Sequence, residues 1–581
     1  MFNKYYQDEL AYLRELGREF SQAYPMLAPM LSDRGADPDV ERLLEGVAFL
    51  TGRIRQKLDD EIPEVIHSLA HLLFPHLLRP LPSATIVEIS PIAAALKEKR
   101  VVAAGTEFAS VPVDGVSCRF RSVVACELLP WAVDDVRLEA VAGGKQLLRV
   151  EIKGTAGITL GQIGADRLRL HMAGELREAL GLVLGMFHLA EEVLLVGPSG
   201  KEVRLGTKAL QWVGFEESEA LLPFGKSALP GLRLLEEYYV LPQKFAFVDV
   251  RGLERLQELG KELSRFSLQV RFRAPMRDVV RVSKQSVRLH CVPVVNVFET
   301  SSEPIRLSPT RERYVVRPAG LTSAQAQVYA VTRVETIARA TNKRTVIPSF
   351  YEFSHAGDAV HSFYTTHLVP SVTGEGADVH IAFGTPEDSG VMAEADVASI
   401  DLLATNRTLA GALRPGEVSV PTQSSPAFVT FQNISPVTPE VAPPIGQDLP
   451  WRVVAHLAMG LRSLTEPEIL RMALDVYNMH ARVDRQAARA NELRTQAVRD
   501  IRVTPSERLF RGAIVRGVAI QVELDEDGFS GEGDMYLFAG VLDRLFASYV
   551  SINSFARTTI VGKKTRVEYV WPARSGDVTL L

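Results

Sequence analysis

The first 80 residues carry apolar side chains at helical spacing. One set recurs every three or four positions and predicts a helix that ends before Pro25: Phe2, Tyr6, Leu10, Leu13, Leu16 and Phe20. A second helix is expected to begin near Asp37, a good N-cap, with Pro38 in its first turn. Pro63 is expected to separate it from a third helix over residues 64–74.

The second helix has a stripe of apolar residues whose steps alternate between three and four: Val40, Leu43, Val47, Leu50, Ile54 and Leu58. This spacing is close to the 3.5-residue repeat of a coiled-coil seam, which would pack against helices of other subunits. The alternative is an ordinary amphipathic helix whose stripe covers the core of its own domain. Periodicity by itself leaves both interpretations open, and the six residues are candidate interface positions.

From Thr85 to about Val441 the pattern changes to short runs rich in β-branched residues, such as ATIVEIS and SLQVRFR, punctuated by Gly and Pro. Long helices rarely alternate with these runs, so antiparallel sheets are favoured over a doubly wound parallel sheet. The prediction is an α+β protein with a coiled-coil-like helical segment at the N-terminus, β-rich antiparallel middle domains and an α/β C-terminal part. The expected domains are residues 1–83, 84–230, 231–440 and 441–581.

A Pro-rich stretch, NISPVTPEVAPPIGQDLP, predicts a linker or an extended crossing segment before the chain turns helical again. Further on, VRGVAIQVELDED predicts a strand and an acidic turn. The helix that follows, within VLDRLFASYVSINSF, is apolar nearly all round and must be buried, either in the domain core or against another subunit.

Residues 481–516 hold nine arginines against four acids in a chain with a net charge of −5. Such a run is commonly a solvated helix face. The functional alternative is a positive patch for an acidic partner surface, with Arg482, Arg485 and Arg489 as candidate contacts.

Composition narrows the function classes. The 581 residues are 46% apolar and 23% charged, typical of globular domains, and the mild negative charge argues against nucleic-acid binding. Three cysteines, with no CxxC pair, fit a reducing compartment, and we expect a cytoplasmic protein. The longest apolar run, ALGLVLGMFHLA, is too short to span a bilayer, so no membrane insertion is expected.

No motif for catalysis, cofactor binding or a metal is complete. FGKS lacks the first Gly of a P-loop, and DEDGFSGEGDMY lacks the ligands and Gly of a calcium loop. His67 and His71 share a helix face but lack the Glu of HExxH, so packing is favoured over a metal site. We expect that the protein is not an enzyme and binds no cofactor. The rival hypotheses are a carbohydrate-active β protein using carboxylates such as Asp525 and Asp527, and a peptide-binding module.

Several segments in order resemble one family, TssF (also called ImpG or VasA), a baseplate subunit of the bacterial type VI secretion system. They include FNKYYQDELAYLRELGREFS, GTEFASVPVDGVSCRFRSVV, GLRLLEEYYVLPQKFAFVDVRGL, CVPVVNVFETSSEPIRLS, LLATNRTL and RGVAIQVELDEDGFSGEGDMYLFAGVLDRLFASYVSINSF. Together they run from Phe2 to about Phe555, with less resemblance over 130–225 and 355–400.

The resemblance implies a structural role. TssF-like proteins pair with a second TssF copy and with TssG, and they join TssK and TssE in a wedge. Wedges surround the VgrG hub on a membrane-docked baseplate, where the tail tube and contractile sheath assemble and contraction is triggered. The family is similar to wedge proteins of contractile phage tails.

Overall fold

The structure is a computed structural model. It describes residues 6–7, 9–14, 16, 38–92, 96–155, 158–159, 163–224, 229–260, 262–308, 310–338, 341–351, 362–371, 376–384, 396–445, 448–510 and 513–576. Within those ranges, the side chains at 38, 40–41, 54–64, 462, 510 and 513 are not described.

Helices lie at both ends of the described chain. Those numbered along the chain are α1 (Pro38–Leu73), α2 (Leu176–Leu184), α3 (Pro230–Val240), α4 (Asp448–Ala458), α5 (Leu461–Leu464), α6 (Pro467–Tyr477), α7 (Arg485–Gln496) and α8 (Glu532–Ser548). Short 3-10 turns and one π turn connect other elements: Pro75–Leu78, Gly185–Leu189 (π), Thr207–Ala209, Glu217–Glu219, Pro242–Phe245, Leu253–Leu259, Arg407–Ala412, Met479–Arg482 and Glu526–Gly528. The described residues between Tyr6 and Leu16 are also helical.

Strands dominate the middle of the chain. The first fifteen are β1 (Ala84–Pro91), β2 (Arg100–Val102), β3 (Glu107–Val113), β4 (Val116–Ser122), β5 (Cys126–Leu128), β6 (Trp131–Val141), β7 (Lys145–Gly154), β8 (Arg167–Met172), β9 (Ala190–Val196), β10 (Glu202–Arg204), β11 (Leu210–Trp212), β12 (Phe247–Arg251), β13 (Arg265–Phe272), β14 (Val287–Leu289) and β15 (Cys291–Val295). The others are β16 (Phe298–Ser301), β17 (Ile305–Arg306), β18 (Arg313–Val316), β19 (Gln327–Ala338), β20 (Lys343–Ile347), β21 (Phe363–Pro370), β22 (Ala377–Gly384), β23 (Val397–Thr405), β24 (Val420–Pro421), β25 (Val429–Asn433), β26 (Val498–Phe510), β27 (Ala513–Leu524), β28 (Phe555–Gly562), β29 (Glu568–Val570) and β30 (Arg574–Ser575).

The strands form several sheets, and their pairing is antiparallel except between β27 and β28. In spatial order the sheets are β24-β3-β4-β15-β1-β25, β10-β9-β13-β7-β6, β11-β12-β8-β14, β16-β23-β19-β20 with β17 on β23, β18-β22-β21, β2-β5, and β26-β27-β28-β29 with β30 on β28. The sheets are thus almost entirely antiparallel and the strand-rich middle contains few helices, so the fold is α+β as predicted.

The chain divides into two compact units, one of residues 1–73 with 446–453 and one of residues 74–445 with 454–581. In the second unit, the sheet centred on β15 and β1 takes strands from both predicted middle domains, 84–230 and 231–440. The division into four domains stays a prediction.

Helix α1 corrects the expectation of a break at Pro63, because it continues over 36 residues from Pro38 to Leu73. A proline inside a helix removes one hydrogen bond and costs about 3 kcal/mol. A continuous helix, however, keeps the apolar positions before and after Pro63 on one face. The loss of one bond does not end the helix.

The part of the Pro-rich stretch that belongs to the second unit, residues 433–445, is an extended crossing segment. Val441 exchanges backbone hydrogen bonds with Leu81, at 2.8 and 2.9 Å, and the amide of Thr438 donates to the carbonyl of Ala84 at 2.9 Å. Val437 and Val441 are buried. Of the two interpretations, the structure therefore has the packed segment and not a loose linker.

The C-terminal part has the predicted order of strand, acidic turn and apolar helix, and α8 joins the parallel strands β27 and β28. Helix α8 is buried on nearly all sides and belongs to the core, together with side chains from α2, α3, α6, β26 and β27. Close backbone approaches require glycine at two crossings. A Cβ on Gly231 would lie 2.5 Å from Cα of Leu545, and one on Gly533 would lie 2.3 Å from the carbonyl of Leu180.

A buried ion pair fixes the start of α8. Asp534, 1% exposed, accepts hydrogen bonds from Nη2 of Arg494 at 2.9 Å and from the hydroxyl of Tyr238 at 2.8 Å. The backbone amide and hydroxyl of Ser530 also donate to it, both at 3.1 Å. The aspartate therefore ties α7 and α3 to the first turn of α8, where a negative charge is also favoured by the helix dipole.

Four histidines of the second unit are buried in neutral form. Burial lowers the imidazole pKa to about 3 for His76 and His171 and to about 4 for His290 and His480. Charged neighbours add to the lowering at His76, where His456 and Arg79 contribute. The folded chain therefore resists protonation at these positions.

We expect Asp534→Ala to destabilise the second unit by about 3–5 kcal/mol, because it leaves the guanidinium of Arg494 buried without its counter-charge. Chemical denaturation followed by intrinsic fluorescence measures the loss. The matched control is Glu507→Ala, which removes the partner of Arg516 from a pair whose side chains are both exposed. That change should cost about 1 kcal/mol or less. Equal losses for the two variants would contradict the buried-pair interpretation.

We expect the folded chain to lose stability as the pH falls below about 6.5, the pKa of an unfolded histidine. Below that pH the histidines of the unfolded chain bind protons, whereas the buried imidazoles of the folded chain stay neutral. Each buried histidine therefore lowers the free energy of unfolding by roughly 1.4 kcal/mol per pH unit until its folded pKa is reached. In His171→Gln, the difference in apparent unfolding free energy between pH 7.5 and 5.5 should shrink by roughly 1.4 kcal/mol. His380→Gln, at a half-buried position, is the control and should change less. An unaltered pH dependence in His171→Gln would refute the mechanism.

Candidate subunit interfaces

Helix α1 exposes part of its predicted apolar stripe. Leu43, Val47 and Leu50 are 68%, 38% and 63% exposed in the isolated chain. The stripe continues beyond Pro63, since Val65 is 62% and Leu69 38% exposed. At about 100° per residue, these five positions fall within roughly 100° of the helix circumference. The described side chains between Leu43 and Leu69 therefore present apolar groups to solvent on one side of the helix, before and after Pro63.

The opposite side of α1 carries small residues. Ala48 and Ala70 are fully buried, and Gly52 is buried with them. They lie roughly 140–180° around the helix from Leu43. A helix that packed only on its own domain would bury the large apolar side chains first, because they contribute most of the free energy of burial. Helix α1 has the reverse arrangement in the isolated chain.

The remaining stripe positions, Val40, Ile54 and Leu58, lie in the helical backbone of α1, but their side chains are outside the described residues. Their helical phase places them within about the same 100° sector as Leu43. The continuation of the apolar stripe to Val65 and Leu69 was not predicted from the sequence. The spacing of apolar residues did contain it, because steps of four and three continue after Pro63.

The three candidate arginines lie at and just before α7. Arg482 ends a 3-10 turn, and Arg485 and Arg489 sit one helical turn apart on α7, all exposed. Asp484 caps the helix by accepting from the amides of Gln486 and Ala487, at 2.8 and 3.1 Å. The cap fixes the orientation of the first turn, which carries Arg485.

Intrachain acids reduce the positive charge of this region. Arg489 Nη1 lies 2.6 Å from Glu492 Oε2, and Arg502 Nε lies 2.9 Å from Asp500 Oδ2. Arg494 points inward to Asp534, as described above. The Arg-rich run therefore contains arginines that form ion pairs within the chain and arginines that are exposed to solvent. The sequence pattern did not distinguish the two kinds.

The carboxylates considered for a catalytic alternative have structural partners. Asp525 accepts from Arg499 Nη2 at 3.1 Å and Lys563 Nζ at 3.2 Å. Burial pushes its pKa up, but hydrogen bonds from Lys563, the backbone of Asp527 and Arg499 hold the pKa below its usual value. Asp527 pairs with Lys564. Charge pairs of this kind serve the turn, whereas a general acid needs a raised pKa.

Two open grooves of the second unit have volumes of about 540 and 620 Å³. Burial raises the pKa of Glu236 to about 8 and that of Glu440 to about 7, but neither residue lines either groove. Two of the groove carboxylates instead face arginines, with Glu88 against Arg288 and a separation of 3.2 Å between Arg121 and Glu299. In neither of these two grooves does the described part of the chain place two acids of raised pKa, as the enzyme hypothesis requires.

The other chemical candidates gain no support. The ring centroids of His67 and His71 are 6.4 Å apart, and among the described residues no group of three His, Cys, Asp or Glu side chains converges on a metal position. The Gly, Lys and Ser of FGKS lie outside the described residues. Within the described part of the chain, no helix has the length and hydrophobicity to cross a membrane.

The buried aromatic residues belong to the core. Tyr238, Tyr239 and Phe245 pack with α8, and the helix itself is enclosed. Of the two interpretations left open for α8, the structure thus has packing in the domain core. Exposed apolar side chains lie elsewhere, on α1 among other places.

The comparisons with known proteins converge on one family. The family model described as "Type VI secretion system, TssF" matches residues 1–578. The type VI secretion system component TssF1 of Pseudomonas aeruginosa is 28% identical over 630 aligned positions, which cover 99% of this chain and 98% of that protein.

Two solved structures are similar to this chain over most or all of its length. A chain of the type VI secretion system TssK–TssF–TssG baseplate subcomplex, determined by cryo-electron microscopy, has a TM-score of 0.78 and 31% identity. The match covers 92% of this chain and 98% of that one. A chain of the type VI secretion baseplate complex has a TM-score of 0.63 and 28% identity, with both chains covered completely.

Proposed function

The chain belongs to the TssF family of the type VI secretion system, and we propose that it is a structural subunit of the baseplate wedge. The observation that carries the proposal is the match over residues 1–578, supported by similarity to a chain of the TssK–TssF–TssG subcomplex along 92% of the present one. In the proposed wedge the chain pairs with a second copy of itself and with TssG. It further joins TssK and TssE around the VgrG hub.

We propose that the baseplate built from these wedges docks at the cytoplasmic side of the inner membrane. It supports assembly of the tail tube and sheath and passes on the trigger for contraction. The chain contributes contact surfaces and performs no catalysis. The charge pairing of Asp525 and Asp527 supports this over the enzyme hypothesis.

The apolar stripe of α1 is the proposed contact with TssG. Leu43, Val47 and Leu50 are exposed on one face, and Val40, Ile54 and Leu58 share its helical phase. In a coiled-coil-like bundle these side chains would be covered by helices of partner subunits. Burial at about 25 cal/mol per Å² would then stabilise the assembly rather than the monomer.

The exposed arginines Arg482, Arg485 and Arg489 form the second proposed contact, with an acidic surface of a neighbouring subunit. Positive charge on an otherwise acidic chain supports this assignment, because complementary charge steers association and fixes orientation.

Leu43→Asp and Leu50→Asp should each weaken the complex with TssG by ~100-fold or more, because a charge would be buried in an apolar contact. Affinity co-purification of the full-length chain with TssG measures the loss, and circular dichroism checks that the sheets stay folded. Phe49→Asp is the matched control: Phe49 is exposed on the same helix but lies about 100° beyond the stripe. An unchanged complex would contradict the assignment, and aggregation of the stripe variants would mean that the stripe is intramolecular core.

Arg485→Glu combined with Arg489→Glu should reduce binding to the TssG–TssK assembly by about tenfold at low salt, because two favourable charges become repulsive. The difference should shrink near 0.3 M salt, where the Debye length falls to about 6 Å. Arg502→Glu is the control, because Arg502 is an exposed arginine on β26, outside the proposed contact, and like Arg489 it has an acid partner in the chain. A loss that is independent of salt, or equal for the control, would argue against a charge contact.

A further inference from the structure

Strands β26 and β27 form a ribbon that extends beyond its sheet. They pair along their full length, from Val498 opposite Leu524 to Phe510 opposite Ala513. Strand β28 pairs with β27 only from Val518 to Leu524. Residues 506–517 of the ribbon therefore have no third strand beside them. We call the outer part of the ribbon, residues 503–518, the ribbon arm. A two-stranded ribbon alone is marginally stable in water.

One face of the ribbon continues the protein core outward. Directly opposite residues share a face of an antiparallel pair, and on this face the pairs are Ile501 with Val522, Val503 with Ile520, Pro505 with Val518, Glu507 with Arg516, and Leu509 with Ile514. At the base, Ile520 and Val522 are buried in the core around α8. At the tip, Leu509 and Ile514 are 71% and 70% exposed.

The arm is built to bind through this face and not through its edge. Edge pairing with another strand needs a row of free N–H groups, and Pro505 on the outer strand has none. Charged Arg502, Glu507 and Arg508 on the same strand also oppose edge-to-edge pairing. The apolar face is left as the binding surface.

The dimensions of this face fit one α-helix. From Val503 to Leu509 the strand extends about 20 Å, and two strands span a width of about 10 Å. An α-helix with its side chains is about 10–12 Å across and completes nearly four turns in 20 Å. The ion pair between Glu507 and Arg516, with 3.3 Å between its atoms, interrupts the apolar face and fixes the register of a partner that carries charge beside its stripe.

Charge complementarity indicates which helix the arm binds. Residues 503–518 contain three arginines and one acid, a net charge of +2. The second half of α1, residues 59–72, contains four acids and no lysine or arginine. It also presents exposed Val65 and Leu69, separate from the proposed TssG contact at 40–58. An acidic helix with a free apolar face thus complements a basic ribbon with an apolar face.

We propose that the ribbon arm docks on the second half of α1 in a second copy of this chain. The proposal rests on the proposed pairing of two copies and names a contact between them. The arm offers about 200 Å² from its length and width, well below the roughly 800 Å² per partner of a standard interface. The contact therefore supplements other contacts between the copies. In a two-fold dimer it would occur twice.

Site-specific disulfide formation between two full-length chains tests the contact. One chain carries Ile514→Cys and the other Leu69→Cys with a different tag; the natural cysteines Cys118, Cys126 and Cys291 are buried. Mild oxidation of the mixture should give a product of twice 64.0 kDa that contains both tags. Its yield should exceed by at least tenfold that of the control pair Ile552→Cys with Leu69→Cys, in which Ile552 is an exposed apolar residue outside the arm. Adding Arg508→Glu to the first chain should lower the yield.

A mixed-disulfide yield no higher than that of the control pair would overturn the proposal, and so would a product formed mainly between two Ile514→Cys chains. In a further variant that carries both cysteines in one chain, a disulfide found only within that chain would also overturn it. Sedimentation velocity of the natural chain separates this failure from that of the pairing. A dimer without the mixed disulfide leaves the pairing standing and removes the arm contact. A monomer without the disulfide removes both.

Discussion

Burial of helix α8 is the constraint on which the second unit depends. The helix is apolar nearly all round, so it has no stable position on a surface and must be enclosed, with its buried aspartates paired inside. Enclosure draws together α2, α3 and α6 with the sheet that contains β27. Glycines at positions 231 and 533 permit the close crossings, and Asp534 anchors the first turn through Arg494 and Tyr238. The Arg-rich segment that follows α6 is held in place by the same pair.

The enclosed core also determines which apolar surface remains outside. On the ribbon of β26 and β27, one face is core at Ile520 and solvent-facing at Ile514, because the third strand stops at Val518. In the other compact unit, α1 buries small side chains and exposes large ones. Both arrangements leave apolar surface in contact with water, which costs free energy in an isolated monomer. In the proposed assembly, partner subunits would cover these surfaces.

Charged groups follow the same division. Asp534, which is buried, and Asp525, at the turn before α8, have basic partners in the chain and serve the fold. The arginines before and on α7 are exposed, and the sequence of the second half of α1 is rich in acids; in the proposed assembly these charges would steer association. This division fits the structural role proposed for a member of this family.

The sequence by itself determined the α+β class, the C-terminal order of strand, turn and buried helix, and the family. These follow from local spacing and from a helix that is apolar nearly all round, signals that act over a few residues. The break that the sequence predicts at Pro63 is absent, because a single lost hydrogen bond does not outweigh a helix that is favoured on both sides. Only the tertiary structure decided that Arg494 points inward while Arg485 stays outside, that Tyr238, Tyr239 and Phe245 belong to the core, and that the ribbon of β26 and β27 extends beyond its third strand. Those outcomes depend on contacts between residues far apart in the chain, and no local pattern specifies them.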